Sequence, residues 1–402
     1  MASSLIPALT VTAPAGHTAT APVTGGERGG LVLALAAIPD PRDPRGVRYP
    51  LTALLAVAVC AVLAGASSFA AITDWLHDLD EQMQARLGST RGQPAGTTVW
   101  RLLTRLDAAL LTTVPADWLR AHTPVAAPRP RRYRMVIAID GKTLRGSRID
   151  GRQVHLLSAL DTNTGIVLAP VTIDAKSNEI PAFGPLLDAV ETMLGTLTGS
   201  CSPRMPCTPR PATPTRSHAA GAHLLVQVKA NQPTLFKQLK RLPWAQIPAG
   251  NRTRDRGHGR RETRTVKAVT LATPDGIGFP HAQQAIRITR TRIVAGRTSR
   301  EAAYLTVSLP AGQALPVDLQ TWIRWHRHIE NRLHHVKDMT LREDQHQART
   351  GNGPAVIATL RNTAIGHHRT AGATNIARAT RQANHRSHDL ITTVTSSYPT
   401  TQ

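Results

Sequence analysis

Acidic residues are scarce in this chain, and over one long interval they are missing altogether. Between Glu191 and Asp255 there is no Asp or Glu. That interval contains the run "GSCSPRMPCTPRPATPTRSHAAG", residues 199–221, with Pro203, Pro206, Pro209, Pro211 and Pro214, two cysteines and no regular period. Over all 402 residues, 48 Lys and Arg stand against 26 Asp and Glu, a formal charge of +22. The excess is spread along the chain rather than gathered in a tail, which points to a polyanion partner, nucleic acid ahead of anionic membrane. An arginine-rich background composition is the plainer alternative. Cysteine is limited to Cys60, Cys201 and Cys207. So few exclude a disulfide framework and fit a reducing cytoplasm. No Cys-x-x-Cys pair accompanies His326, His328, His334 and His335, which argues against zinc.

Charge is also missing from "YPLTALLAVAVCAVLAGASSFAAIT", residues 49–73, a run long enough to span a bilayer. It is rich in Ala rather than Leu, "GASSFAA" weakens its second half, and "ITDWLHDL" follows without a basic stop. The expectation is a buried helix of a small bundle and no membrane span. Its distance from the N-terminus excludes a secretion signal.

The rest divides by pattern, without internal repeats. Residues 1–30 are Ala/Thr/Pro/Gly-rich and expected to be disordered. Residues 38–122 have helical periodicity and read as a helical N-terminal domain, followed by the linker "TPVAAPRPRRYR". Residues 132–368 read as an α/β domain. "MVIAI" is a buried strand ending at Asp140, and "QVHLLSAL" and "IVLAPVTI" form a hairpin around "DTNTG". The helix "IPAFGPLLDAVETML" and the strand "HLLVQVK" flank the acid-free run, and a β-rich insertion covers 252–310. Trp322, Trp325, Ile329, Leu333, Val336 and Thr340 then share one helical face, and "PAVIATLRNTAIGHH" makes another helix. Residues 369–402 read as a loose polar tail.

Two carboxylates stand out. Asp140 sits at the end of the first strand, and Glu330 lies beside Ile329 on the late helix, with His326 and His334 four residues to either side. Taken singly, one is a turn residue and the other a boundary residue. Taken in order, a strand-end Asp, a hairpin, a helix, a strand and a late helix with Glu follow the RNase H-like fold. That is an α/β class with a mixed sheet flanked by helices, in which carboxylates from two strands and a late helix converge on two divalent metals.

The motifs "AIDGKTLRGS", "HLLSALD", "AKSNEIPAF", "VKANQPTLF", "HGRRETR", "IENRLHHVKDMTLRED" and "RTGNGPAVIATLRNTAIG" resemble those of insertion-sequence transposases of the DDE class, ISAs group. The resemblance runs from residue 38 to 365, helical leader included. It implies a protein that binds the ends of its own element and catalyses DNA strand cleavage and transfer. Asp140 would be the first metal-binding carboxylate and Glu330 the last, around Mg2+ or Mn2+ in a two-metal site. Double-stranded DNA of element and target would be the partner, a homodimer would form the synaptic complex, and the location would be cytoplasmic. Lys142, Arg145, Lys176, Asn178, Glu179, Lys229, Asn231 and Gln232 would line the DNA and the site. Arg324, His326, Asn331 and Lys337 would join them from the late helix. Arg327 departs from the pattern, standing where the family has the Trp of an "HW" pair.

The resemblance also explains the missing acids. The family carries its second catalytic Asp between the "IPAF" helix and the "VKANQ" strand, in a motif like "TADALHT". "SPRMPCTP" can be encoded TCA CCG CGG ATG CCC TGC ACA CCC. Regrouped two bases on, the same string reads ACC GCG GAT GCC CTG CAC ACC, which is Thr-Ala-Asp-Ala-Leu-His-Thr. By that resemblance the proline-rich run looks like the family motif read in the wrong frame, with frame restored near "GAHLL" and the lost Asp straddling Arg204 and Met205. The alternatives are a genuine proline-rich loop, and a chain that survives as a DNA-binding remnant without catalysis. A membrane-associated basic protein, resting on residues 49–73, is a third.

Overall fold

In the computed structural model, the described residues are 8–12, 30–123, 134–173, 179–197, 201–202, 212–257, 259–272 and 276–396. After a short strand β1 (Ala8–Thr12) come six helices: α1 (Leu31–Leu35), α2 (Leu51–Leu63), α3 (Phe69–His77), α4 (Glu81–Arg86), α5 (Gly96–Leu103) and α6 (Ala108–His122). Polar side chains start three of them. Ser68 accepts from the amide of Ala71, Asp80 from that of Met83, and Asp107 from those of Ala109 and Leu110, satisfying donors that a helix start leaves open.

α2 accounts for the long uncharged run. Every side chain in it except Thr52 is buried, as expected of a helix that is apolar all round. At about 1.5 Å per residue it is roughly 20 Å long, short of the ~30 Å hydrocarbon thickness. No helix among the described residues is long and apolar enough to cross a membrane.

The sheet opens with β2 (Arg134–Ile149), β3 (Arg152–Asp161) and β4 (Val167–Ile173), an antiparallel meander as expected. Asp161 organises its second turn by accepting from the amide of Asn163 and the hydroxyl of Thr164, an Asx-type turn. α7 (Glu179–Leu194), β5 (Cys201–Ser202), α8 (Ala212–Ala219), β6 (His223–Val228) and α9 (Pro233–Arg241) follow. The β-rich insertion is a four-stranded antiparallel ribbon, β7 (Asn251–Gly257), β8 (Arg260–Thr270), β9 (Gln284–Val294) and β10 (Arg297–Val307), whose last strand pairs β6. α10 (Pro316–His328), a π-helical turn (Ile329–His334) and α11 (His335–Met339) form one continuous rod. α12 (Gly353–Thr370), α13 (Ile376–His385) and α14 (Ser387–Thr395) close the chain. The strands join one mixed sheet in the order β4-β3-β2-β1-β6-β10-β9-β8-β7, with β5 pairing β2 and β6 in parallel.

Five sequence expectations need correction. β2 does not stop at Asp140 but runs on to Ile149, because the ladder to β3 continues through Asp140↔Ser158 and Lys142↔Leu156. Residues 1–30 are not wholly without structure, since β1 pairs β2 from Ala8↔Ala138 to Thr12↔Arg134. The stretch 199–220 is not all loop. Cys201–Ser202 pairs in the sheet and Ala212–Ala219 is helical, while 203–211 lies outside the described residues. The tail is not loose between Ile376 and Thr395, because α13 and α14 bury Ile376, Leu390, Ile391 and Val394 under otherwise polar surfaces, while 397–402 lies outside the described residues. The helical N-terminal segment is not a separate core either. Helices α2, α6, α12 and α14 share one apolar cluster with the sheet, and Thr112 and Thr359 hydrogen-bond at 2.9 Å across α6 and α12.

That shared core has a pH consequence. His346 and His367 are buried, and desolvation pushes both imidazoles down to about 4, with neighbouring Arg361 and His368 respectively adding to it. Unfolded histidine titrates near ~6.5. Below that value the unfolded chain binds protons that the folded chain refuses. Stability is therefore fully present above about pH 6.5 and is lost as pH falls toward 4, by up to about 1.4 kcal/mol per pKa unit and histidine. Urea midpoints at pH 7.5, 6.0 and 5.0 should fall in that order, and His367→Gln should flatten the fall. Equal midpoints would remove these two groups from the account.

Candidate active site

Side chains on a strand alternate between its faces, so Ala138, Asp140 and Lys142 of β2 share one face. The π-turn and α11 lie across it, and Ala138 packs with Ile329 and Leu333. His334 Nδ1 stands 3.5 Å from Asp140 Oδ2. Farther along, Lys142 Nζ donates to both carboxylate oxygens of Asp338 at 2.7 Å and lies 3.4 Å from Asp344 Oδ1. Asp140 is buried. Burial holds the His334 imidazole well below its usual pKa, with Lys337 and Lys142 pushing the same way, so Asp140 faces a neutral ring at neutral pH.

Glu330, four residues before His334, occupies the π-turn and is half-buried. π-turns are rare and often coincide with functional sites. Its carboxylate acts on the guanidinium of Arg327, whose pKa is lowered by burial and by Arg290 and Arg292, and is supported by Glu262 and Glu330. Arg327 is thus an electrostatic neighbour of Glu330.

The expected DNA-lining residues are placed unevenly. Arg145 is exposed, 3.5 Å from Asp344. Arg324 is exposed and pairs with Asp255 at 3.4 Å. Asn331 is exposed and faces a cavity. Lys229, Asn231 and Gln232 lie where β6 turns into α9, with Gln232 buried at the N-cap position. Lys176 and Asn178 fall outside the described residues, and nothing of the Glu179 side chain is described. Three of the expected residues are turned into the protein or paired within it. His326 is 1 % and Lys337 2 % exposed, so neither reaches a phosphate in this conformation. Lys142 is taken up by Asp338 and Asp344, and Lys337 by Glu343 at 2.9 Å.

Sequence reasoning missed these acidic partners. Asp338, Glu343 and Asp344 lie in "KDMTLRED", and their concentration there was the available signal. Gly146 explains how that segment comes so close to β2. A Cβ there would stand 2.5 Å from the carbonyl oxygen of His346 and 2.7 Å from that of Asp344. Ser147 Oγ donates to His346 O at 3.1 Å, and the Arg148 amide to Ala348 O at 3.1 Å. Residues 343–348 are thereby tied to the end of β2.

A cavity of about 960 Å³ lies elsewhere. Asp161, Asn163, Asn331, His335 and Arg369 line it, and neither Asp140 nor Glu330 does. Asn331 and Arg332 of the π-turn are part of its wall.

Carboxylates are hard oxygen donors suited to Mg2+, so Asp140 and Glu330 are chemically apt ligands. The set is nevertheless incomplete. Among the described residues no three His, Cys, Asp or Glu side chains are gathered so as to hold a metal. The strand position between β2 and β6 is filled by Cys201–Ser202 and by "ALTVT" of β1, neither of which carries an acid.

Comparison with known proteins bears directly on this arrangement. Residues 132–365 match the family described as Transposase DDE domain, and residues 32–119 match the DDE_Tnp_1-associated family. "Putative transposase YncI" of Escherichia coli O157:H7 is 27 % identical over 343 residues, covering 82 % of this chain and 85 % of that one. "H repeat-associated putative transposase YhhI" of Escherichia coli strain K12 is 26 % identical over 352 residues, 83 % of this chain and 89 % of that one. A solved piggyBac transposase synaptic complex with hairpin DNA covers 93 % of this chain and 79 % of that one at 12 % identity and a TM-score of 0.37, too slight a likeness to carry any argument. With the DDE domain matched over more than half of its length and the associated helical region matched before it, the chain belongs to the DDE-domain transposases of insertion sequences.

Proposed function

We propose that this chain descends from an enzyme that binds the ends of its own insertion sequence and cuts and joins DNA with divalent metal, and that this copy is impaired because its second catalytic carboxylate is missing. The observation that carries the reading is the juxtaposition of buried Asp140 on β2 with the π-turn that holds Glu330. An RNase H-like core is supported by strand order. An antiparallel β4-β3-β2 meander is followed, through β5 parallel to β2, by β6 parallel to β5. β1 and the ribbon β7–β10 are additions to that scheme.

In such chemistry a hydroxyl attacks phosphorus in line, and metals held between carboxylates activate the nucleophile and stabilise the leaving oxygen. Asp140 and Glu330 would supply two of the three ligating groups. His334 stands beside Asp140 as a neutral ring, so it brings no fixed positive charge to compete with a metal. The third group is absent between Glu191 and Asp255, so no complete reaction path is derived for the chain as it stands. Duplex DNA is the partner, consistent with the charge of +22, and a homodimer is the assembly expected of a synapse.

The test uses a version with the frame restored across residues 199–220. Asp140→Ala and Glu330→Ala should each abolish strand transfer with Mg2+ or Mn2+ while leaving DNA binding in place. Full strand transfer in either variant removes that residue from the site.

A further inference from the structure

The ribbon β7–β10 has two faces of opposite electrostatic character. On one face the charges are neutralised. Arg264 pairs with Glu262 and with Asp255, the latter at 3.1 Å. Arg292 lies 3.4 Å from Glu262, and Arg290 bonds Glu301 at 2.7 Å. That face is covered toward the core by α10, where Gln320 meets Thr253 and Asn251 and Val266 and Ile286 pack with Leu319 and Trp322.

The register assigns the other face. Arg256↔Arg261, Arg261↔Ile293 and Ile293↔Thr298 form one cross-strand row, and Arg254↔Thr263, Thr263↔Thr291 and Thr291↔Arg300 form the next. A third row is Arg252↔Thr265, Thr265↔Thr289 and Thr289↔Ala302. These rows contain no acid. Arg252, Arg254, Arg256, Arg261 and Arg300 are all exposed, and the acids of β7 and β8, Asp255 and Glu262, point the other way into the ion-pair ladder. The acid-free surface continues onto α9, which packs on the inner end of this face through Phe236 against Tyr304 at 5.4 Å. The exposed Lys237, Lys240 and Arg241 of α9 extend it.

We propose that this arginine–threonine face is a docking surface for the phosphate backbone of duplex DNA, independent of base sequence. The inference rests on the transposase reading and places a DNA contact on a sheet face that none of the expected DNA-lining residues occupies, although "HGRRETR" contributes Arg261 and Thr263 to it. Alternate residues along β7 stand about 7 Å apart, so Arg252, Arg254 and Arg256 match roughly every second phosphate of a strand rising ~3.4 Å per nucleotide. Threonine hydroxyls between them donate to phosphate oxygens without adding charge. Guanidinium groups on one sheet face repel one another unless an anion lies between them, and among the described residues of the ribbon the carboxylates Asp255, Glu262 and Glu301 all lie on the opposite face.

The test is binding of a fluorescent 30-base-pair duplex of arbitrary sequence to the full chain between 50 and 300 mM salt. Each lost phosphate contact lowers the slope of log affinity against log salt by about 0.9. Arg252→Gln/Arg254→Gln/Arg256→Gln should lower it by about 2 to 3 and weaken binding at low salt at least tenfold. The control Arg290→Gln/Glu301→Gln, a neutral exchange on the opposite face, should leave both unchanged, and thermal melts check that each variant folds. If the parent binds with a steep slope and the folded triple variant keeps it, the docking face is wrong while the transposase reading stands. If the parent does not bind duplex at any salt, both fall. A loss seen equally in the neutral control also overturns the assignment to this face.

Discussion

Glu343→Gln should destabilise the folded chain by about 3–5 kcal/mol, the scale of breaking one partner out of a buried ion pair. Glu343 is 1 % exposed and is the counter-ion of two other buried groups, Lys337 Nζ at 2.9 Å and Arg361 at 3.7 Å. Burial is the largest influence lowering the pKa of Lys337, with Arg361 and Lys142 adding to it, and of Arg361; in each the nearby carboxylate of Glu343 is the leading influence that holds the charge. With a neutral amide in its place, Lys337 gives up its proton or stays charged without a partner. Either costs free energy that the unfolded chain does not spend. Lys142, 4.0 Å from Glu343, keeps its stronger partner Asp338 at 2.7 Å, so the damage should centre on α11 and α12. Equilibrium urea unfolding at pH 7.5 measures the difference. A loss below about 1 kcal/mol would mean that water reaches the cluster and screens it.

This cluster marks the limit of what the sequence made legible. The hairpin β3–β4 was readable because apolar alternation and "DTNTG" are local signals, and α2 because a run of Ala, Leu and Val with no charge is apolar on every side. Asp140 and Glu330 were readable only from their order along the chain; the fold packs the π-turn that carries Glu330 on the face of β2 through Ala138, Ile329 and Leu333. The roles of Lys142 and Lys337 were not readable. Lys142 and its partner Asp338 are 196 positions apart, and nothing in the alternation of a strand says whether a lysine faces a phosphate or a carboxylate. The π-turn has no sequence signature at all. α13 and α14 were missed for another reason. Each buries only a narrow stripe, such as Leu390, Ile391 and Val394, and average polarity conceals a stripe that narrow. β1 carries a short alternating segment, "ALTVT", inside a composition that otherwise reads as unstructured. In the insertion, the strands were legible but the sorting of acids to one face was not, because it depends on cross-strand register.

As written, the chain should give no detectable strand transfer, and restoring the frame across residues 199–220 should raise metal-dependent cleavage of the element's ends at least about a thousandfold, the scale on which loss of a catalytic group acts. Two effects converge. The repaired segment reads "TADALHT" and returns an Asp between the "IPAF" helix and β6, completing the carboxylate set with Asp140 and Glu330. It also removes Pro203, Pro206, Pro209 and Pro211, which cannot donate to a sheet ladder. Among the described residues, the slot between β2 and β6 holds two residues of β5, at Cys201↔His223 and Ser202↔Leu224, and β1, which pairs with the start of β2 from Ala8↔Ala138 to Thr12↔Arg134. A full strand rebuilt there competes for the same hydrogen-bonding edge of β2. Amide exchange at residues 8–12 should therefore be slow in the chain as it stands and fast in the repaired one, a readout that needs no activity. Both proteins are assayed side by side with Mg2+ and Mn2+ on duplexes carrying the element's ends. If the unaltered chain cleaves and joins as well as the repaired one, another group supplies the second ligand and the frame reading is wrong. If the repaired chain stays inactive although residues 8–12 exchange faster, the strand has returned without a working site, and Arg327 beside Glu330 becomes the residue to revert to Trp.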